Sequence, residues 1–196
     1  MARTQQQRRD ETVTKLLDAS IDTIVEVGYA RASAAVITKR AGVSVGALFR
    51  HFDTMGDFMA ATAHEVLRRQ IEMGSKRAAD IPADRPALDA LLAILRDVTQ
   101  NPTNAVMYEL MVAARTDEKL RATLKDVLTE YGTKIYDAVR ALPGSERVPE
   151  KTLGVLVMML INAFDGAAMK RAVLHQPELD AEQVALLASL LDTYDA

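Results

Sequence analysis

Cysteine and tryptophan are absent from the 196 residues, and histidine occurs only three times. Without cysteine there is no disulfide, no thiolate metal site and no cysteine nucleophile. The histidines, His51, His64 and His175, are scattered, and none sits beside a nucleophile in a catalytic pattern. His64-Glu65 lacks the second histidine that a zinc-binding helix carries. A glycine-rich phosphate loop is missing, as is the carboxylate–histidine spacing of a di-metal bundle. These absences argue against an enzyme and leave no metal or cofactor to expect. Long apolar runs are also lacking. The longest unbroken one, residues 155–161, is far short of the roughly 18 residues of a membrane span. The basic start of the chain has no apolar stretch behind it, so it does not read as a signal peptide. Asn101-Pro102-Thr103 carries proline where a glycosylation acceptor forbids it. The expectation is a cytoplasmic protein, neither exported nor embedded in a membrane.

What is present is apolar residues at helical spacing. Hydrophobic residues make up 49% of the chain, enough for one good core or a large core with a small satellite. Net charge is −3, but its distribution is uneven. Residues 1–52 hold eight basic groups against five acidic ones, a net +3, which leaves −6 for the remainder. A basic head on an acidic body suggests that the head alone meets a polyanion, although chance also produces splits of this size.

Strand signals are nearly absent, and apolar residues recur at three and four throughout. The spacing predicts nine helices and an all-α fold. The first spans about residues 7–27, with Val13, Leu16, Leu17, Ile21, Ile24 and Val25 inward and Gly28 as its left-handed end. Two short helices follow, Ala34–Ala41 and Val45–His51. A capping box at Thr54–Asp57 opens a fourth to about residue 77. Pro82 and Pro86 punctuate the link to a fifth at 86–100, and Asn101-Pro102 breaks to a sixth at 103–114. Thr116, followed by Asp117 and Glu118, caps a seventh that ends near 142, before Pro143-Gly144. The eighth opens at Pro149-Glu150 and reaches about 174; the ninth is capped at 180–183 and reaches about 194. The eighth is apolar almost all round between Leu153 and Phe164, and the ninth carries Val184, Leu187, Ala188 and Leu191 on a stripe widened by Leu186 and Leu190. That is more apolar surface than one small chain easily covers, and it predicts a homodimer through the last two helices. A buried core hairpin is the alternative.

Residues 33–52 are the informative stretch. Ser33 can cap one short helix and Ser44 the next, with Gly42 supplying the tight turn between them. Ile37, Ala41, Val43, Leu48 and Phe52 face inward, which leaves Val45, Gly46, Phe49, Arg50 and His51 outside. This is helix-turn-helix physics, and a short helix with a free N-terminus and a basic end fits the major groove.

At these residues the chain resembles the TetR family of transcriptional regulators. Gly28-Tyr29, Ile37, Ala41-Gly42-Val43-Ser44, Gly46, Leu48, Phe49, His51 and Phe52 all fall in register with the family's signature, which covers about residues 8–60. The resemblance implies a DNA-binding domain at 1–53 and an effector-binding, dimer-forming body at 54–196. It implies a repressor whose dimer sets two recognition helices into a palindromic operator on double-stranded DNA, about 34–36 Å apart. By position, Val45 would touch bases through apolar contact and Gly46 would let the backbone approach. Ser33, Ser44 and His51 would meet phosphates, while Arg50 and the arm residues Arg8 and Arg9 supply charge. The family usually has a tyrosine at position 49 and a lysine at 55, both phosphate anchors; here they are Phe49 and Met55, and Ala47 replaces a hydroxyl. Fewer anchors should weaken binding and flatten its salt dependence. A regulator that has lost DNA binding and works through protein partners is the alternative these departures raise.

In the body, the resemblance implies a small, largely apolar effector in a cavity among the fourth to eighth helices, whose binding moves the heads out of register with the grooves. Candidate lining residues are Met59, Met107, Tyr108, Met111, Tyr131, Asn162, Phe164 and Asp165, since methionine walls suit adaptable sites and a few polar groups orient a ligand. Glu109 and Arg115 would instead select a charged ligand if they point inward.

Overall fold

A computed structural model describes residues 4–80, 87–141, 145–174 and 176–192. Pro82, Pro86, Pro143, Gly144, His175 and Tyr194, which entered the sequence reading, lie outside the described residues. Every regular element among those described is helical. Thr4 starts α1 (Gln5–Val27) with a reciprocal capping box, its side chain accepting from the Gln7 amide and its own amide donating to the Gln7 side chain. α1 ends at Gly28, whose φ of 84° is positive as expected, but with an extended ψ of 157° rather than a left-handed helical one. A 3₁₀ turn, Tyr29–Arg31, leads to α2 (Ala34–Ala41) and α3 (Val45–His51), whose bounds match the sequence reading. Then come α4 (Met55–Ala79), α5 (Ala87–Thr99), α6 (Asn104–Ala113), α7 (Glu118–Arg140), α8 (Glu150–Arg171) and α9 (Pro177–Asp192).

Three local expectations are corrected. Asp117, not Thr116, caps α7: its Oδ1 accepts from the Leu120 amide at 2.9 Å, while the Thr116 hydroxyl donates back to Ala113 O. α9 begins at Pro177, a turn before the acidic cap expected at 180, because proline fits the first helical position where its missing N–H costs nothing. Val25, assigned to the inner face of α1, is 41% exposed; the buried stripe there is Leu16, Ala19, Ser20, Ile21, Thr23 and Ile24.

The chain divides into two compact units, Met1–Arg69 with Pro102–Glu130, and Gln70–Asn101 with Tyr131–Ala196. In the first, Leu16, Ile21, Ile24, Ile37, Leu48, Phe58, Met59, Val66, Val106 and Leu110 are fully buried. Phe52, at the end of α3, packs on Phe58 with ring centroids 4.9 Å apart. Two buried hydroxyls satisfy one another there, Thr62 Oγ1 donating to Ser20 Oγ at 3.0 Å. At the edge of this core Arg69 of α4 pairs with Asp18 of α1 and with Glu65, whose other oxygen takes Arg68 at 2.7 Å.

These guanidinium bonds, Arg68's first, outweigh desolvation and hold the Glu65 carboxyl at about 2 instead of its ordinary 4.5. A depressed folded-state value contributes stability above pH 4.5 that is lost as pH falls toward 2. Glu65→Gln should therefore lower the urea midpoint at neutral pH and narrow its gap to wild type as pH falls through that window. A gap that stays constant with pH would refute this.

In the second unit Leu92, Leu95, Leu160 and Phe164 form one buried cluster, and Val139, Leu153 and Val157 a second. The tail of α4 lies against α5: a Cβ on Gly74 would sit 3.6 Å from Ile94, and Arg77 Nε is 3.5 Å from Asp97. α8 departs from the short-run reading. Its unbroken apolar run is brief, yet over an 18-residue window its mean hydropathy is 1.6, and by length and composition Glu150–Arg171 is sufficient to cross a membrane. The helix is two-faced: Leu153, Val157, Leu160 and Phe164 are buried, whereas Val155, Met158, Met159 and Met169 are exposed.

Candidate nucleic-acid interface

The α2–α3 segment is built by its caps. Ser33 Oγ accepts from the Val36 amide at 3.4 Å to start α2, and Ser44 Oγ accepts from the Ala47 amide at 3.1 Å to start α3. Between them Gly42 takes the left-handed conformation, φ 68° and ψ 32°, and the Val43 amide returns to Thr38 O at 3.0 Å. An L-residue at Gly42 would meet no neighbouring atom, so glycine is required there by the backbone and not by crowding. Ile37 and Leu48 are fully buried and fix the two helices to the first unit's core.

That anchoring turns the rest of α3 outward. Val45 is 40% and Phe49 44% exposed, and Gly46 and Arg50 are also exposed. His51 is half-buried. Arg50 makes no ion pair or hydrogen bond among the described residues, unlike Arg40, which is held by Glu26 and Thr23. Arg8 and Arg9 are exposed on the first turns of α1. Seven residues at 1.5 Å rise make α3 about 10 Å long, which suits a major groove about 12 Å wide. The Ser33 and Ser44 oxygens are engaged in capping, and each retains a hydroxyl proton to donate.

A model of the family described as bacterial regulatory proteins, tetR family, matches residues 16–62. The uncharacterized HTH-type transcriptional regulator Rv2912c of Mycobacterium tuberculosis is 70% identical over 97% of this chain and 98% of its own length. The chain belongs to the TetR family. It is therefore an HTH-type, DNA-binding transcriptional regulator, and its all-helical fold is shared with solved TetR-type structures. A TetR-family regulator from a Rhodococcus species superposes with a TM-score of 0.70 at 19% identity, over 93% of this chain and 98% of that one. The multidrug binding protein EbrR, solved with imidazole, gives 0.65 at 21% identity over 89% and 93%.

The body residues singled out from sequence are distributed between the two units of this TetR chain. Met59 and Met107 are buried in the first, where Tyr108 is half-buried and Met111 lies at the surface. In the second, Tyr131 Oη donates to Gln70 Oε1 at 2.9 Å, and burial followed by the charge of Asp165 raises its pKa well above the ordinary phenol value. Phe164 is buried, and Asn162 is exposed on α8 among Met158, Met159 and Met169. The Glu109 carboxylate is engaged within the first unit: it accepts the Tyr29 amide and lies 3.3 Å from where a Cβ on Gly28 would sit. It thus clasps the end of α1 from α6. Arg115 is exposed.

Sequence reasoning missed Tyr136. Its hydroxyl is buried with no hydrogen-bond partner among the described residues, beside the Val139, Leu153 and Val157 cluster. An unsatisfied buried hydroxyl costs about 1–3 kcal/mol. Tyr136→Phe should accordingly raise the thermal midpoint of the ligand-free protein; a lower midpoint would mean the hydroxyl is satisfied in solution.

Proposed function

We propose that the protein is a repressor that binds a palindromic operator as a homodimer and is released by a small, largely apolar effector. Residues 1–53 form the DNA-binding head, and 54–196 the effector-binding and dimerisation body. The protein works in the cytoplasm, uses no cofactor, catalyses no reaction and has no part in a membrane. The observation that carries this reading is the exposed face of α3, with Val45, Gly46, Phe49 and the unpaired Arg50 presented by a helix whose opposite side is locked by Leu48. Val45 touches a base edge, Gly46 and Phe49 set the approach, and Ser33, Ser44, His51, Arg50, Arg8 and Arg9 contact phosphates.

The exposed apolar stripe on α8, continued by Leu179 and Leu186 of α9, supports the dimer. The multidrug binding protein EbrR, whose structure holds imidazole, supports a small-molecule effector on this fold. Met59, Met107, Tyr108, Met111, Tyr131, Asn162, Phe164 and Asp165 remain the proposed effector contacts.

An anisotropy titration against the DNA flanking the protein's own gene, at several salt concentrations, tests the reading. Tight, salt-sensitive and sequence-selective binding is expected. Arg50→Ala should weaken it by about tenfold or more and lower the salt slope by about one, the loss of one phosphate contact. Absence of selective binding at low salt would favour a regulator that acts through protein partners.

A further inference from the structure

α2 and α3 are eight and seven residues long. Helices so short are marginal on their own in water, so what holds them in place is tertiary. Ile37 and Leu48 anchor their middles, and Arg40 ties α2 to Glu26 of α1. The two ends of the segment are held by α6 and α7. At its entry the Tyr29 amide opens the 3₁₀ turn, where a helical start leaves its N–H without an intrahelical partner. The Glu109 carboxylate of α6 accepts that N–H from 80 residues away, a charge-assisted bond of the stronger kind. Gly28 leaves room for it, since a Cβ there would stand 3.3 Å from Glu109 Oε2. Burial, and after it the charge of Asp117, raises the Tyr29 phenol above its ordinary value, so the acid that caps α7 acts on the same residue. At the exit Thr54 precedes α4, its Oγ1 accepting from the Asp57 amide at 3.1 Å. Lys119, in the first turn of α7, donates to the same oxygen at 3.2 Å and lies 3.8 Å from Asp57 Oδ1. All of these groups belong to the first unit.

We infer that Glu109 and Lys119 are positioning residues for DNA binding: by holding the Tyr29 amide and the Thr54 hydroxyl they fix both ends of residues 29–54, and with them the pose of α3. The inference rests on the proposed reading that α3 meets DNA. For Glu109 it opposes simple electrostatics, under which removing an acid from a protein that binds a polyanion tightens binding.

Anisotropy titration of the full-length protein against the DNA flanking its own gene, at several salt concentrations, is paired with amide hydrogen exchange of the DNA-free protein. Glu109→Ala should weaken binding by about tenfold, because affinity scales with the fraction of molecules that hold α3 in place. Its salt slope should stay at the wild-type value, since no phosphate contact is lost. Glu109→Gln keeps an acceptor oxygen and should recover binding to within about threefold of wild type. Lys119→Met should weaken binding by about threefold, again at an unchanged slope. In the free protein Glu109→Ala and Lys119→Met should both speed exchange within residues 29–54, while the amides of Leu92 and Leu160 in the second unit keep their protection. The Lys119 side chain is 62% exposed, so Lys119→Met decides the matter if Glu109→Ala does not fold. Tighter or unchanged binding by Glu109→Ala where Arg50→Ala loses it, a slope lowered by about one in Lys119→Met, or unchanged exchange at residues 29–54 would each overturn the inference alone. Arg50→Ala without effect would overturn the reading beneath it, and the inference with it.

Discussion

Leucine in place of Gly46 is expected to leave the fold intact and remove operator binding. The position is exposed in the first turn of α3, its φ is not positive, and a Cβ there meets only Ser44 Oγ, at 3.9 Å. Leucine is also the better helix former by up to about 1 kcal/mol, so the thermal midpoint should hold or rise. The added isobutyl group, however, projects on the face that carries Val45, Phe49 and Arg50. In the proposed complex that is where the backbone of α3 nears the groove. Pushing the helix outward forfeits several contacts at once, and at about 1–3 kcal/mol for each good base contact, two lost contacts weaken binding by about a hundredfold or more. Anisotropy titration at fixed salt, beside a melting curve, reads both effects. An unchanged dissociation constant would mean that the first turn of α3 does not approach DNA.

Such a separation of stability from binding is available because the α2–α3 segment is governed by local chemistry. Ser33 and Ser44 cap helices three residues ahead of the amides they accept, and Gly42 answers a turn that its own φ demands. Signals of that range are legible in sequence, and α2 and α3 end where the residues say. The same holds for the all-helical fold, since the three-and-four spacing recurs in every long segment. Legibility fails where partners are distant. Glu109 meets the Tyr29 amide across 80 residues and Arg69 meets Asp18 across 51, and no pattern near either residue announces the pairing. It fails also where one residue type serves two ends. Met59 and Met107 are buried, Met111 and Met159 exposed, and a methionine at helical spacing reads alike in all four places. Val25 and the start of α9 differ from the sequence reading for a smaller reason: the core uses only part of the continuous apolar stripe on α1, and Pro177 begins α9 ahead of the acidic run.

Glutamate at Met159 should turn a dimer into a monomer without unfolding it. α8 buries Leu153, Val157, Leu160 and Phe164 on one face, while Val155, Met158, Met159 and Met169 recur at helical spacing on another. Met159 is 62% exposed, so within the single chain the substitution touches solvent and costs little. In a two-fold interface the new carboxylate occurs twice, each taken from water with no partner, at several kcal/mol apiece. Sedimentation should then report a monomer whose melting no longer depends on protein concentration. Operator binding should collapse with it. Two linked heads gain about 10²–10⁴ in affinity over one through effective concentration, and the variant forfeits that factor. Its salt slope should fall to about half, because one head neutralises half the phosphates. A variant that stays dimeric would move the interface off this face of α8, whereas a monomer that keeps full operator affinity would show that one head suffices for recognition.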